Sequence, residues 1–217
     1  MKAEPLSEVV LYDYWRSSAS YRVRIALNLA GISYKAHKVD LLNKDHKSAA
    51  HLDIHPQGLV PVLKIDGHSF SQSLAILDYL DRTRALGLLP EDASRRAKIM
   101  AMAHTLAVDV HPVCNLGVVQ HVSELVGDNN DHVKENWMKH FILPGLQAFE
   151  RQLASFETTP FINGEKPGFA EICLIPQLYN ADRWGVDYSD CQKLRTLAGS
   201  CMRLKAFQNA HPDQVNS

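Results

Sequence analysis

Cysteine is absent from the first half of this 217-residue chain. The four cysteines, Cys114, Cys173, Cys191 and Cys201, fall in the second half and none forms a CxxC pair. That pattern excludes a dithiol redox centre and a dense secreted disulfide scaffold. The eleven histidines are scattered, with no HExxH or Cys/His knuckle spacing, so no metal site is expected. Charge of one sign is nowhere concentrated. The formal net charge is -1, which argues against nucleic acid and anionic membrane as partners. No apolar run is long enough to span a bilayer. Met1-Lys2-Ala3-Glu4-Pro5 carries no apolar signal core, and Val215-Asn216-Ser217 is no address signal. A reducing cytoplasm is the expected location. Internal repeats and low-complexity segments are also missing.

What is present is ordinary globular composition, with 46% hydrophobic and 22% charged residues. The length suits one large domain or two small ones. Residues 9–14 read as a buried strand. Val23, Leu27 and Ala30 share one face of a helix over 20–30, stopped by Gly31. Tyr34 to Val39 reads as a second strand, and Asp40 to His55 as a short irregular helix between loops. Val60 to Ile65 is an apolar run ending in Asp66-Gly67, a hairpin signal that returns through His68 to Phe70. A helix follows over Ser71 to Asp81, with Ser71 or Ser73 as its cap. Strand, helix, strand, then hairpin and helix make a βαβ unit joined to a ββα unit. Pro61 at the start of a strand points to an edge or a special turn, with a cis bond as one solution.

Residues 82–94 change character and read as a crossing between units. Beyond them the chain is helical. The expected segments are Arg95 to Val126, interrupted at Pro112, then His132 to Phe156, a buried central helix over Ala170 to Asp182, and a closing stretch over Cys191 to Ala210. The expected division is residues 1–86, a linker over 87–94, and an all-helical domain over 95–217.

The turn before the first helix is the most informative site. Tyr14-Trp15-Arg16-Ser17-Ser18-Ala19 joins a strand to a helix N-terminus, where the first N–H groups lack intrahelical partners. The helix dipole favours negative charge there. A thiolate would be stabilised at this point. The turn holds no cysteine, so the thiolate must come from a ligand.

Ser17-Ser18-Ala19-Ser20-Tyr21-Arg22-Val23-Arg24-Ile25-Ala26-Leu27 is similar to the zeta-class signature Ser-Ser-Cys-x-(Trp/His)-Arg-Val-Arg-Ile-Ala-Leu. Further matches are Gln57-Gly58-Leu59-Val60-Pro61, Gln72-Ser73-Leu74-Ala75-Ile76, Asp109-Val110-His111-Pro112 with Asn115-Leu116, and Leu174-Ile175-Pro176-Gln177 leading to Arg183. Five motifs in order across two domains resemble the zeta class of cytosolic glutathione transferases over nearly the whole chain. The resemblance implies an α+β fold, with a thioredoxin-like βαβ-ββα domain followed by an all-helical domain. It implies glutathione as cofactor, a small diacid as substrate and a homodimer.

Residue by residue, Ser17 matches the hydroxyl that activates the glutathione sulfur, with Ser18 as its neighbour. Val60, before a cis proline, matches the residue whose backbone pairs with the cysteinyl unit. Gln72 and Ser73 match the pair that binds the γ-glutamyl carboxylate. His46 aligns with the position binding the glycyl end, while His111 and Asn115 match ligand-proximal positions. Arg16 and Arg183 match arginines that hold diacid carboxylates, a task suited to bidentate geometry. Arg22 and Arg24 read as structural. A serine before an apolar helix also serves simply as a cap.

The implied reaction is isomerisation of a maleyl diacid. A thiolate adds to the cis double bond, the resulting single bond rotates, and elimination restores the thiol. Maleylacetoacetate in tyrosine and aromatic catabolism is the first substrate reading. Maleylpyruvate, haloacid conjugation and a non-catalytic docking module are the alternatives. Three positions depart from the family. Ala19 replaces the signature cysteine, Gly117 stands where relatives carry an arginine, and Gly168 stands where a Ser/Thr cap precedes Glu171. The loss of that cap is expected to cost little.

Overall fold

The computed structural model describes residues 8–127, 131–157 and 160–216. The leading residues and Ser217, read above for targeting signals, lie outside the described residues. The chain divides into two compact units. One runs to Leu86 and takes in the chain from Lys205 onward, and the other spans Gly87–Leu204.

The first unit contains β1 (Val10–Asp13), α1 (Ser18–Leu29), β2 (Lys35–Lys38), a 3-10 turn (Asp45–Lys47), α2 (Ala49–Ile54), β3 (Val62–Ile65), β4 (His68–Ser71) and α3 (Ser73–Arg84). The sheet order is β2-β1-β3-β4, with β1 and β2 parallel and the other pairs antiparallel. This is the expected βαβ-ββα arrangement. Leu11, Val62, Leu63 and Ile65 are buried in the sheet, and Val23, Ile25, Leu27, Ile76, Leu77 and Leu80 are buried on α1 and α3. Asp66 and Gly67 both have positive φ, the conformation that a two-residue hairpin requires. The α3 cap differs from expectation. Gln72, at φ 67°, occupies the N-cap and its side chain makes no capping bond.

The α2 segment is compact despite its polar sequence. Ser48 caps it by accepting from the His51 N–H at 3.3 Å, and His51 and His55 are buried. Its polarity hid this burial at the level of sequence.

The expected boundary at residue 217 is corrected. Gln192–Met202 forms one helix, α8, but Lys205–Ala210 (α9) and Pro212–Val215 (α10) return to the first unit. Phe207 and Ala210 are buried there. Asn28 Nδ2 donates to the Ala206 carbonyl at 2.9 Å, and Arg24 Nε donates to the Ala210 carbonyl at 3.0 Å. Two buried apolar side chains and two α1 donors hold this segment on the first helix.

The second unit is helical: α4 (Ala93–His104), a π-helical stretch (Thr105–Val110), α5 (Leu116–Val126), α6 (Asp131–Leu153), α7 (Phe169–Arg183) and α8. The interruption expected near Pro112 is present, and the helix already widens at Thr105, seven residues earlier. The expected linker is part of this unit, because Leu88 and Leu89 are buried and the Leu88 carbonyl accepts from the Phe169 N–H. The central helix is α7, buried along most of its length. Its N-terminus is held by Glu171, which accepts from the Gly168 N–H at 2.9 Å and the Ile162 N–H at 2.7 Å. Burial pushes the Glu171 carboxyl pKa up, while the backbone N–H bonds act against that shift. A Cβ on Gly168 would lie 2.6 Å from the Leu88 carbonyl oxygen, which explains the missing hydroxyl cap.

Two outcomes follow. Gly168→Ser does not restore a cap. It lowers stability by about 1–3 kcal/mol, because the contact is with rigid backbone. Chemical denaturation measures this, and an unchanged or raised midpoint contradicts it. The second concerns acid. Burial holds the His46 and His55 imidazoles below the ordinary value of 6.5. Folding therefore favours their neutral forms. The stability from this source is complete above 6.5 and is lost as pH falls through the lowered folded values. Thermal melts from about pH 7.5 to about pH 5 should show the decline. His55→Asn should show a shallower one, and an unchanged slope contradicts the assignment.

Candidate active site

Strand register brings the pieces of the site to one end of the sheet. Tyr12 on β1 lies opposite Val62 on β3, and Val62 lies opposite Ser71 on β4. The end of β1, the start of β3 and the end of β4 are therefore neighbours. Beyond these ends the chain continues as the Tyr14–Ser17 turn, as Val60-Pro61 and as Gln72-Ser73. Arg16, Ser17, Ser18, Val60, Gln72 and Ser73 are thus gathered at one sheet end by topology alone.

Ser17 is the α1 N-cap, and its Oγ accepts from the Ser20 N–H at 3.2 Å. Capping uses a lone pair and leaves the hydroxyl hydrogen able to donate. Ser17 is half-buried, whereas Ser18 is buried, so Ser17 is the more accessible hydroxyl. The residue that caps the helix also presents a hydroxyl at its positive end.

The Val60-Pro61 peptide is cis. Among the described residues, the Val60 N–H and carbonyl make no hydrogen bond. A half-buried backbone with both groups unpaired suits strand-like pairing with a peptide ligand.

At the start of α3, Ser73 is buried and its Oγ accepts from Arg22 Nη1 at 3.0 Å. The Ser73 hydroxyl hydrogen is thereby free to point elsewhere, and the helix N-terminus favours an anion. Gln72 Nε2 lies 3.5 Å from Gln57 Oε1, a long contact linking the start of α3 to the segment before Val60. The Arg22–Ser73 bond was not legible in the sequence. Fifty-one positions separate the partners, and no local pattern marks the pairing.

Arg24 explains why the first turn is fixed. It is fully buried; its Nη1 lies 2.8 Å and 2.9 Å from the two Asp13 carboxylate oxygens, and its Nη2 donates to the Trp15 carbonyl at 2.9 Å. Arg22 and Arg24 are both buried and bond outside the first helix, to Ser73 and to Asp13. Next to this anchor, the Arg16 guanidinium lies 4.3 Å over the Trp15 ring, and its Nε has no hydrogen-bond partner among the described residues. A cavity of about 230 Å³ opens here, lined by Tyr14, Trp15, Arg16, Tyr34 and Lys38 among others. Burial raises the Tyr34 phenol pKa.

His46 lies in the 3-10 turn, half-buried, with Nδ1 unpartnered among the described residues. The same turn packs against Gly58, where an added Cβ would stand 2.5 Å from the His46 carbonyl oxygen. His111, Asn115 and Arg183 belong to the second unit. His111 is the C-cap of the π-helical stretch, Asn115 is the α5 N-cap without a side-chain capping bond, and Arg183 is exposed at the end of α7 over the Trp184 ring. Gly117 sits in the first turn of α5 with open space around it.

All four cysteines are free and buried. Burial pushes the Cys114 thiol up to about 12 and raises Cys191 and Cys201 as well. Among the described residues, no cluster of three or more His, Cys, Asp or Glu side chains could hold a metal, and no helix is long and apolar enough to cross a membrane.

Residues 7–82 match the family model of the glutathione S-transferase N-terminal domain. The chain is 52% identical over 210 residues to maleylacetoacetate isomerase of Rhizobium meliloti, covering 96% of this chain and 98% of that one. Among solved structures, a bacterial zeta-class maleyl pyruvate isomerase superposes with a TM-score of 0.89 at 32% identity, over 94% of this chain and 97% of that one. Maleylacetoacetate isomerase of Methylobacterium extorquens AM1, with bound malonate and GSH, gives 0.88 at 34% identity over 94% and 97%. With sequence shared at this level from end to end, the chain belongs to the maleylacetoacetate isomerase family, the zeta class of glutathione S-transferases.

Proposed function

We propose that this protein isomerises maleylacetoacetate, using glutathione as a cofactor that is not consumed. The observation that carries the reading is Ser17. It is an accessible hydroxyl at a helix N-terminus, in a protein whose own thiols are buried. Glutathione supplies the thiolate that adds to the cis double bond and leaves after rotation. The chain's residues fit that ligand. Ser17 donates to the sulfur and, with the α1 dipole, favours its charged form, with Ser18 as the secondary hydroxyl. The Val60 backbone offers an unpaired N–H and carbonyl to the cysteinyl unit. Gln72 and Ser73 hold the γ-glutamyl carboxylate at the α3 N-terminus, and His46 receives the glycyl end. By the same resemblance, His111 and Asn115 are ligand-proximal.

Arg16 holds one acceptor carboxylate. Its cavity is also lined by Lys38, and by Asp13 and Asp40. Arg183 is the second arginine for the diacid, by resemblance to relatives. Maleylacetoacetate stands ahead of maleylpyruvate because the 52%-identical relative bears that name. The reaction class places the enzyme in aromatic catabolism, after a ring-opening step that yields a cis unsaturated diacid. Four free cysteines support a reducing cytoplasm. A homodimer is supported by large apolar side chains exposed on each unit, Leu59 on the first and Val108, Leu116 and Val118 on the second.

Purified protein should isomerise maleylacetoacetate only when glutathione is present. Ser17→Ala should lower kcat/KM by roughly 10²–10³. A competition assay should favour maleylacetoacetate over maleylpyruvate. Turnover without glutathione, or full activity in Ser17→Ala, contradicts the mechanism.

A further inference from the structure

We propose that His51 is a positioning residue that aims the Val60 backbone at glutathione, through its hydrogen bond to the Leu59 carbonyl. The proposal rests on the glutathione reading above. His51 is buried on α2, and its Nε2 lies 2.9 Å from the Leu59 carbonyl oxygen. A carbonyl only accepts, so Nε2 carries the proton and the tautomer is fixed. Ser48 caps the helix at the His51 N–H, and the imidazole packs near the Tyr12 ring at 6.3 Å and the His55 ring at 6.4 Å.

The segment from Pro56 to Val60 needs such a hold. It has no regular secondary structure, and Leu59 is 42% exposed, so side-chain burial does not fix it. Among the described residues, its backbone is held by hydrogen bonds to the preceding segment. Lys47 Nζ donates to the Gln57 carbonyl at 3.2 Å, the Gly58 N–H to the His55 carbonyl at 2.7 Å, and His51 to Leu59. The last is the nearest to Val60, and of the two side-chain donors to its backbone only His51 is buried.

Peptide geometry turns that bond into aim. The Leu59 carbonyl and the Val60 N–H belong to one planar unit. The Leu59-Val60 bond is trans, so the carbonyl and the N–H point in opposite directions. Holding the Leu59 oxygen toward α2 therefore directs the Val60 N–H away from α2. An aromatic side chain without a donor at position 51 would fill the same space and leave this plane free to rotate.

Two variants separate aim from packing. His51→Phe keeps a ring and removes the donor. His51→Gln places an amide nitrogen near the position of Nε2. Calorimetric titration with reduced glutathione should show the dissociation constant of His51→Phe raised about five- to tenfold, the effect of one lost hydrogen bond. KM for glutathione should rise equally, with kcat at saturating glutathione within about twofold of wild type. His51→Gln should recover most of the affinity. In the wild type, 15N NMR should report the Nε2–H tautomer of His51. Wild-type affinity in His51→Phe, a fall in kcat with KM unchanged, or an Nδ1–H tautomer overturns the proposal. Wild-type protein that binds no glutathione overturns the functional reading itself.

Discussion

The Arg24 guanidinium is the constraint on which the first unit depends. One fully buried side chain joins the end of β1 through Asp13, the following turn through the Trp15 carbonyl, and the returning C-terminal segment through the Ala210 carbonyl. A charge taken out of water is costly unless its donors are matched, and here each nitrogen has an acceptor. Removing one partner of such a pair costs about 3–5 kcal/mol, because the other charge is left buried alone. The turn from Tyr14 to Ser17 thus has its geometry set from below, by an interaction that takes no part in chemistry.

On that base, the site is assembled from ends rather than from side-chain clusters. A helix N-terminus stabilises negative charge, and this fold places two of them, α1 and α3, beside a strand start with unpaired backbone groups. The Arg22–Ser73 bond ties the first helix to the second of these ends. The resulting site suits a peptide-like ligand with an anion at each end. The thiol chemistry belongs to glutathione, so the turn needs no cysteine of its own at Ala19. The protein needs only to lower the cost of the sulfur's charge and hold carboxylates still.

Much of this was legible in the sequence, for physical reasons. Apolar runs and Asp66-Gly67 marked the sheet, and the Ser-Ser turn marked the start of the first helix. Three kinds of feature were not. The return of α9 to α1 depends on contacts between residues nearly two hundred positions apart, such as Arg24 and Ala210. The burial of His51 and His55 was masked by a polar segment whose rings pack inward. Gly168 read as a missing cap, whereas its neighbour is the Leu88 carbonyl, which no local pattern reveals. Ser73 read as a cap as well, yet Gln72 takes that place and Ser73 accepts from Arg22. Local chemistry is written in adjacent residues. Long-range packing is written only in the fold.

The central claim is that Ser17 and the α1 N-terminus stabilise a thiolate delivered by glutathione. Ultraviolet titration of the enzyme–glutathione complex against pH measures that directly. The bound thiol should ionise well below the free value of about 8.5, and in Ser17→Ala it should return most of the way toward it. An undisplaced titration in the wild type, or the same depressed value in both proteins, would contradict the claim.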